Sequence, residues 1–443
     1  MNIMFITLPY VIEPLGIAYL SSVLKEHKHK VCIHIIKDNS FNEIMKVNIK
    51  LLKENIDVIA YSVTTGTQEF YININKDFKD FLWNRGIDIT SIFGGPHCTY
   101  FPEIKKEEGV DIVFRGEAEK SIIRVLNDVE MYIDTIVEPE EVDVNTLPFP
   151  DRQVLYDANG LENPIKNIMT SRGCPFACTY CYNNVYKKEF GNTKLRYRDI
   201  SNVIQEALHI KHYYPKTKLI FFEDDEFVCN KKRFFEFAKR WATEVKIPYH
   251  CQIRIERLDE DIIKAMTISG CVSVTYAIET GNENYRKKKL KRNITNKQII
   301  EGAKLLHKYD IKIRTENMIG LPFENFNMIL ETIDLNIECN PTIGWASIYQ
   351  PYNLTELGEI TKKYKLFNGD LNTIPKSFFE KSVLNFDDLY KKRLKVIQRL
   401  FSLIVKYPIL RFILKAYKFM PDKLINKIHN RVKFNLYNKL YSV

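Results

Sequence analysis

Cys174, Cys178 and Cys181 fall in a C-x3-C-x2-C pattern within Ser171-Arg-Gly-Cys-Pro-Phe-Ala-Cys-Thr-Tyr-Cys181. Three thiolates gathered in one short loop suit an iron-sulfur cube, because the loop wraps three corners and leaves the fourth iron open to an exogenous molecule. An open iron implies chemistry, whereas a fourth protein ligand would imply electron storage or transfer. Tetrahedral zinc is the competing use of a Cys-rich loop. Structural zinc, however, wants four protein ligands and usually shows paired C-x2-C or Cys/His clusters, and neither lies nearby. Three structural thiols meeting by chance is the remaining reading, weakened by the placement of the loop directly after an apparent strand.

The elements that position this loop form an alternating pattern. Strands are expected at 165–170, 218–223, 248–254, 271–278, 311–318 and 343–349, with helices between them at about 199–213, 231–244, 259–268, 295–308 and 324–338. Six repeats in about 190 residues are too few for a closed eight-stranded barrel and fit an open, partial (β/α)6 barrel. The cysteine loop follows the first strand and so belongs to the carboxyl end, where barrel enzymes build their sites. Other polar residues collect at that end: the acidic run Glu223 to Glu226 after the second strand, Arg254 at the third, and Glu279 at the fourth. Most of the acidic run reads as solvated loop and helix cap. One acid of the run should face the cluster, because a zwitterionic ligand on the open iron presents an ammonium group. Arg254 and Glu279 stand on apolar strands, where an unpaired charge is costly, and this favours a site role for each.

Upstream, residues 2–8, a helical pattern from Pro14, and Lys30 to Ile36 make a β-α-β unit. The alternation continues through Asp57 to Ser62, a helix from about Gln68 to Trp83, Asp88 to Phe93 and Asp111 to Phe114. Residues 1–133 should therefore form a doubly wound parallel sheet, Rossmann-like, with helices on both faces. Gly94 and Gly95 close a strand, where ligands of such sheets approach, although a tight turn explains two glycines as well. Residues 134–164, acidic and Pro-containing, read as a linker, residues 165–355 as the barrel, and residues 356–443 as a helical tail.

The 443 residues carry 65 Lys and Arg against 55 Asp and Glu. The tail from residue 361 holds 19 basic and 5 acidic residues, so the remainder is slightly acidic and gives little support for nucleic-acid binding. The nine cysteines form no regular framework and the opening residues lack the positive region of a signal peptide, so a reducing, cytoplasmic setting is expected. The tail turns all-helical, and Lys406, Pro408 and Arg411 interrupt its longest apolar stretch before the roughly 18 residues of a membrane span accumulate. Interleaved apolar and basic residues fit a helix lying on an anionic membrane, or a helical subdomain packed on the barrel with a solvated basic face.

The cysteine loop resembles, in every defining position, that of the radical S-adenosylmethionine enzymes whose barrel is preceded by a cobalamin-binding domain. Supporting matches are Pro14-Leu-Gly-Ile-Ala-Tyr-Leu20, Gly94-Gly-Pro-His97, Arg115-Gly-Glu117, Phe222-Glu-Asp-Asp-Glu-Phe227, Ala277-Ile-Glu-Thr-Gly281 and Ile319-Gly-Leu-Pro322, and the resemblance spans about residues 1–355. It implies a 4Fe-4S cluster on Cys174, Cys178 and Cys181. It further implies S-adenosylmethionine held by Tyr180 and Ile319 at the adenine, by Glu223 or a neighbouring acid at the ammonium, and by Arg254 and Glu279 at the carboxylate or ribose. Cobalamin is implied at Thr65, Gly94, Gly95 and Glu117. The family's chemistry is a 5′-deoxyadenosyl radical that removes hydrogen from an unactivated carbon, so the partners expected are a small-molecule or lipid-linked substrate and a reducing electron donor such as flavodoxin or ferredoxin, with peripheral membrane contact through the tail.

The sequence also departs from the pattern. No D-x-H-x-x-G motif supplies a histidine to cobalt, only Pro9 to Glu13 separate the first strand from Pro14-Leu-Gly16, and Asn353-Leu354 stands where the family tends to have Pro-Gly. Methylation is the commonest outcome in such resemblances, with ring formation, ring contraction and other skeletal changes on the same scaffold. The alternatives are radical chemistry with a vestigial cobalamin domain, and a membrane-tethered iron-sulfur carrier, for which the fourth cysteine is missing.

Overall fold

Apolar runs of β-branched and aromatic residues, buried on both faces, are what a parallel sheet covered by helices requires. In the computed structural model, which describes all residues except 11, 192–194, 416–419 and 442–443, they form two units, 1–163 and 164–443.

The first unit holds the parallel strands β1 (Asn2–Thr7), β2 (Lys30–Ile35), β3 (Val58–Ser62), β4 (Thr90–Gly94), β5 (Ile112–Phe114) and β6 (Thr135–Val137), in the order 2-1-3-4-5-6. Helices Leu15–Glu26, Phe41–Lys53 and Gln68–Trp83 make the crossovers. Each buries one stripe, Ile44, Val47 and Leu51 in the second and Tyr71, Ile74, Phe78 and Leu82 in the third. The strand order reverses between β1 and β3, the point at which doubly wound sheets open a crevice beyond their carboxyl ends.

The stretch 134–164 is not a free linker. β6 extends the sheet, and helix Arg152–Asn159, capped by Asp151 accepting from the Val154 amide at 3.2 Å, packs on the helix and strand that follow β1. Arg152 is fully buried beside Glu13 (3.8 Å), whose carboxylate also accepts from the Tyr156 hydroxyl at 2.6 Å. Short elements separated by prolines carry too little periodicity to be read from sequence, and their order comes from these long-range contacts.

The second unit contains β7 (Ile165–Ile168), a two-residue antiparallel pair β8 (Ser171–Arg172) and β9 (Arg196–Tyr197), then β10 (Leu219–Phe222), β11 (Tyr249–Ile253), β12 (Cys271–Glu279), β13 (Lys312–Ile319) and β14 (Ile343–Ile348). Six of these form a parallel sheet in the order 14-13-12-11-10-7, the open partial barrel expected. Helices Ile200–Tyr213, Lys231–Arg240, Glu260–Ile268, Asn296–Lys308 and Phe326–Cys339 cover one face through a core rich in aromatic rings, among them Phe222, Phe227, Phe237, Trp241 and Tyr249. On the opposite face lie Phe221, His250 and Arg314.

The tail is part of this unit. Helix Asp388–Lys406 buries Leu394, Ile397, Leu400, Phe401 and Ile404 against β13, β14 and helix Phe326–Cys339. Its Gln398 side chain donates to the Ala346 carbonyl at 3.2 Å and its Ser402 hydroxyl to the Gly344 carbonyl, while the Ile348 amide donates to the Phe378 carbonyl at 2.8 Å. An open barrel leaves an edge strand with unpaired main-chain groups, and these contacts cover the free edge of β14. Helix Asp422–Tyr441 approaches β12 to β14, and the Tyr441 ring lies 5.4 Å from His250. The apolar stripe of the tail therefore faces the barrel, and among the described residues no helix is long and apolar enough to cross a membrane.

Candidate active site

The cysteine loop is anchored at its root by an acid. Asp224, fully buried, accepts from the Thr170 amide (2.9 Å) and hydroxyl (2.7 Å) and from the Ser171 hydroxyl, all in the residues leading into Cys174. Burial pushes its carboxyl above the usual range, against the pull of those hydrogen bonds. At the other end, helix Tyr182–Phe190 begins directly after Cys181 and sends Lys187 back to the carbonyls of Cys174 (3.0 Å) and Phe176.

Cys174, Cys178 and Cys181 are free thiols. Burial pushes Cys174 up to about 11, with a further push from Asp225 and Cys178, and Cys181 up to about 12, with further pushes from Asp225, Cys178 and Cys174. The three groups are thus close enough to feel one another. Main-chain amides of Phe176 and Asn183 point at the Cys174 and Cys181 sulfurs and lower both pKa values. Arg254 reaches the Cys178 sulfur at 3.9 Å. Amide and guanidinium donors around sulfur are what thiolates ligating iron require, and a bound cation would displace the protons that burial retains.

Arg254 lies with its guanidinium 3.8 Å over the Phe176 ring and pairs with Glu256 at 2.6 Å. Glu279 pairs elsewhere: its carboxylate accepts from the Tyr180 hydroxyl at 2.6 Å and lies 3.5 Å from Arg292, which also donates to the Ala277 carbonyl at 2.9 Å. The two charges read from the strands are therefore not partners of each other. Glu279 ends β12 in a left-handed conformation, φ 66°, at a register shift against β13. Such strain in a buried, charged residue is found where surroundings over-determine a site.

Two expected positions differ by one or two residues from those that face the site. Glu223 hydrogen-bonds with the Asn167 side chain, and the acid whose charge reaches Cys174 and Cys181 is Asp225. Ile319 does not offer its side chain to the site. It is fully buried among Ile329, Ile333, Ile348 and Leu394, while its neighbour Met318 packs in the cluster that contains Tyr180 and Tyr349. Successive strand residues face opposite sides, so a one-residue difference exchanges core for site. Arg292 was not foreseen, because it lies in a lysine-rich run that reads as solvated surface. Asp224 was expected only as a loop acid.

Just beyond Ile319 is a further buried carboxyl. Glu324 accepts from the amides of Gly320 (2.6 Å) and Leu321 (3.2 Å), and burial pushes it from 4.5 up to about 8. Its folded state favours the protonated form, so this contribution to stability is complete below about 4.5 and is lost as pH rises through about 8. Glu324→Gln keeps an acceptor for both amides without the charge. Thermal unfolding is expected to show the variant gaining on the wild type between pH 6 and pH 8.5; an equal gap at both would contradict this.

In the first unit the expected cobalamin positions lie at the carboxyl ends of β3 to β5. The Thr65 hydroxyl is 3.1 Å from Nδ1 of His97, a buried imidazole that burial lowers to about 4 and so keeps neutral. Neutral donors and acceptors beside Gly94 and Gly95 fit an amide-rimmed macrocycle. Glu117 instead accepts from the Val142 amide at 3.3 Å. Gly95 is required by its own backbone: with φ 93°, an added Cβ would lie 2.9 Å from the Val63 nitrogen and 3.0 Å from its oxygen. Gly95→Ala should cost about 1–3 kcal/mol, measured by thermal unfolding, and lower the corrin absorbance retained per protein. An unchanged melting temperature would contradict the strain argument.

A parallel partial barrel with three thiols and a buried Tyr180–Glu279–Arg292 network at one end defines a cluster-dependent enzyme. The comparisons with known proteins make the class specific. The model of the radical SAM superfamily matches residues 168–335 and that of the B12 binding domain residues 1–126. The chain belongs to the radical SAM enzymes that carry an N-terminal B12-binding domain, and its cofactors are a 4Fe-4S cluster, S-adenosylmethionine and cobalamin. It is 29% identical over 371 residues to an uncharacterized methyltransferase of Pyrococcus horikoshii, covering 78% of each chain. It is 22% identical over 382 residues to the anaerobic magnesium-protoporphyrin IX monomethyl ester cyclase of Cereibacter sphaeroides, covering 78% of this chain and 59% of that protein. In fold it is similar to the radical S-adenosylmethionine methyltransferase TsrM of Kitasatospora setae, solved with cobalamin and a 4Fe-4S cluster bound, with TM-score 0.64, 15% identity, and 82% and 78% of the two chains covered.

Proposed function

We propose that this enzyme uses S-adenosylmethionine and cobalamin to methylate an unactivated carbon of a small natural-product or lipid-linked substrate. The observation that carries the reading is the convergence of the three thiols, Arg254 and the Tyr180–Glu279–Arg292 network at one end of a parallel sheet, in a chain with a B12-binding domain. When bound, the cofactors supply a 5′-deoxyadenosyl radical and a transferable methyl group; the protein supplies geometry, dryness and charge placement.

Cys174, Cys178 and Cys181 would hold the cluster, and Asp224 fixes the loop that presents them. Arg254 donates toward the Cys178 sulfur and offers a cation to a carboxylate. Asp225 offers an acceptor for an ammonium group, and Tyr180, held by Glu279 and Arg292, presents its backbone and ring where an adenine would lie. Met318, Leu321 and Tyr349 exclude water from that side. The exposed Ile409 and Phe412, in a basic tail, support a lipid-linked substrate.

Skeletal rearrangement is the second reading, favoured by the likeness to a cyclase. The coproducts separate the two. With substrate fractions supplied anaerobically, methylation yields S-adenosylhomocysteine and 5′-deoxyadenosine together. Appearance of 5′-deoxyadenosine without S-adenosylhomocysteine would sink the methylation reading.

A further inference from the structure

The cluster loop is exposed at Gly173, Pro175 and Ala177 and buried at Cys178 and Thr179, and a cluster held there has to receive electrons from outside through the surface that backs its buried half or through its exposed half. Thr179, between Cys178 and Cys181, is fully buried, and all its main-chain and hydroxyl groups are taken up by two neighbouring segments. Its amide donates to the Leu290 carbonyl at 3.3 Å, its hydroxyl to the Lys289 carbonyl at 2.7 Å, and its carbonyl accepts from the Leu357 amide at 2.9 Å. These two segments are joined on the outside by the Lys291–Glu356 ion pair, 2.7 Å.

The outer side of those segments is unusual in charge and in exposed aromatic area. Six of the seven residues from Arg286 to Arg292 are basic. Arg286 and Arg292 turn inward, whereas Lys288, Lys289 and Lys291 are exposed, and Lys288 has no acidic partner among the described residues. The Lys289 ammonium sits 5.6 Å over the ring of Phe323, and that ring meets Tyr364 edge-on at 5.1 Å. Phe323 is 45% and Tyr364 59% exposed, and Phe323 is held in a left-handed conformation, φ 65°. A strained backbone that displays an aromatic ring instead of burying it, rimmed by exposed lysines, has the composition of a recognition surface. The main-chain bonds to Thr179 place it directly behind the cluster loop.

We propose that Lys288, Lys289, Lys291, Phe323 and Tyr364 form the docking surface for a small acidic one-electron carrier protein. The proposal rests on the reading that the three cysteines hold a redox-active cluster. One electron leaves the reduced flavin or iron-sulfur centre of the carrier and enters the cluster, with no bond made or broken. Opposite charge favours the carrier over a neutral partner, and a transient redox encounter needs only a small patch, steered by charge and weakened by salt.

The test uses the full-length, cluster-loaded protein under anaerobic conditions, with reduced flavodoxin as the probe. Lys288→Glu/Lys289→Glu is compared with wild type and with Lys423→Glu/Lys427→Glu on the tail. The first variant is expected to weaken flavodoxin binding about tenfold or more and to slow bleaching of the cluster absorbance by the carrier. Its reduction by dithionite should be unchanged and the tail variant should behave as wild type. Equal affinity and rate in all three proteins would overturn the proposal. So would loss of binding to phosphatidylglycerol vesicles in the first variant with flavodoxin affinity intact, because the surface would then be a membrane face. Failure of dithionite to yield 5′-deoxyadenosine from wild type would count against the underlying reading, and the binding measurement would still decide the docking surface.

Discussion

Replacing Cys178 with alanine is expected to leave a folded protein without an intact cluster and to abolish formation of 5′-deoxyadenosine, a loss of about a thousandfold or more, equivalent to about 4 kcal/mol in the rate-limiting barrier. Cys178 is the most buried of the three thiols and the one that Arg254 approaches. Its loop is anchored independently of it, through Asp224 at one end and Lys187 at the other. Removing one sulfur leaves a small cavity, which should cost only about 1 kcal/mol, so folding and cluster binding separate. Iron content, visible absorbance and thermal unfolding check this. A full cluster in the variant would contradict the assignment of Cys178 as a ligand.

The second large effect is expected at Arg292. Arg292→Met removes the countercharge of Glu279 and a donor to the Tyr180 hydroxyl, in a place where both charged groups are nearly inaccessible to water. Leaving one member of a buried pair unpaired costs about 3–5 kcal/mol. For a unit of this size that corresponds to a fall of about 10 °C in the melting temperature. Burial already raises the Glu279 carboxyl above its usual range, and Arg292 opposes that shift. Without Arg292 the carboxyl rises further, so the variant should lose more stability at pH 8 than at pH 6, the sign expected of an acid whose folded pKa lies above its unfolded value. Adding Glu279→Gln should recover part of the loss, a coupling that a double-mutant cycle reads directly. Equal stability of Arg292→Met and wild type across this range would show that the network does not carry the charge balance described.

How much was legible in the sequence follows from the range of the interactions involved. The two parallel sheets could be read because each strand is a short apolar run bounded by turn residues, and the cysteine loop because its spacing is local. The Rossmann-like and partial-barrel architectures both stand. The linker reading failed because Thr135–Val137 and Arg152–Asn159 are ordered by pairing with β5 and by the buried Arg152–Glu13 contact, neither visible in local periodicity. Arg292 was hidden for a related reason. In the run Arg286 to Arg292, a buried arginine and exposed lysines look alike, and only the fold turns one toward Glu279. Ile319 was placed one residue from Met318, and in a strand one residue is the difference between the two faces. The tail was read as amphipathic, which it is. What its apolar stripe covers became clear only from the free edge of β14, whose carbonyls Gln398 and Ser402 take up.

The central claim is that one chain joins a radical-generating cluster to a cobalamin-binding domain. The most direct measurement is anaerobic reconstitution of the full-length protein with iron, sulfide and cobalamin, followed by S-adenosylmethionine and dithionite, recording bound corrin and 5′-deoxyadenosine in the same sample. Retained corrin together with 5′-deoxyadenosine that disappears in Cys178→Ala is the expected result. A protein with a full cluster that forms no 5′-deoxyadenosine, or that retains no corrin, would contradict it.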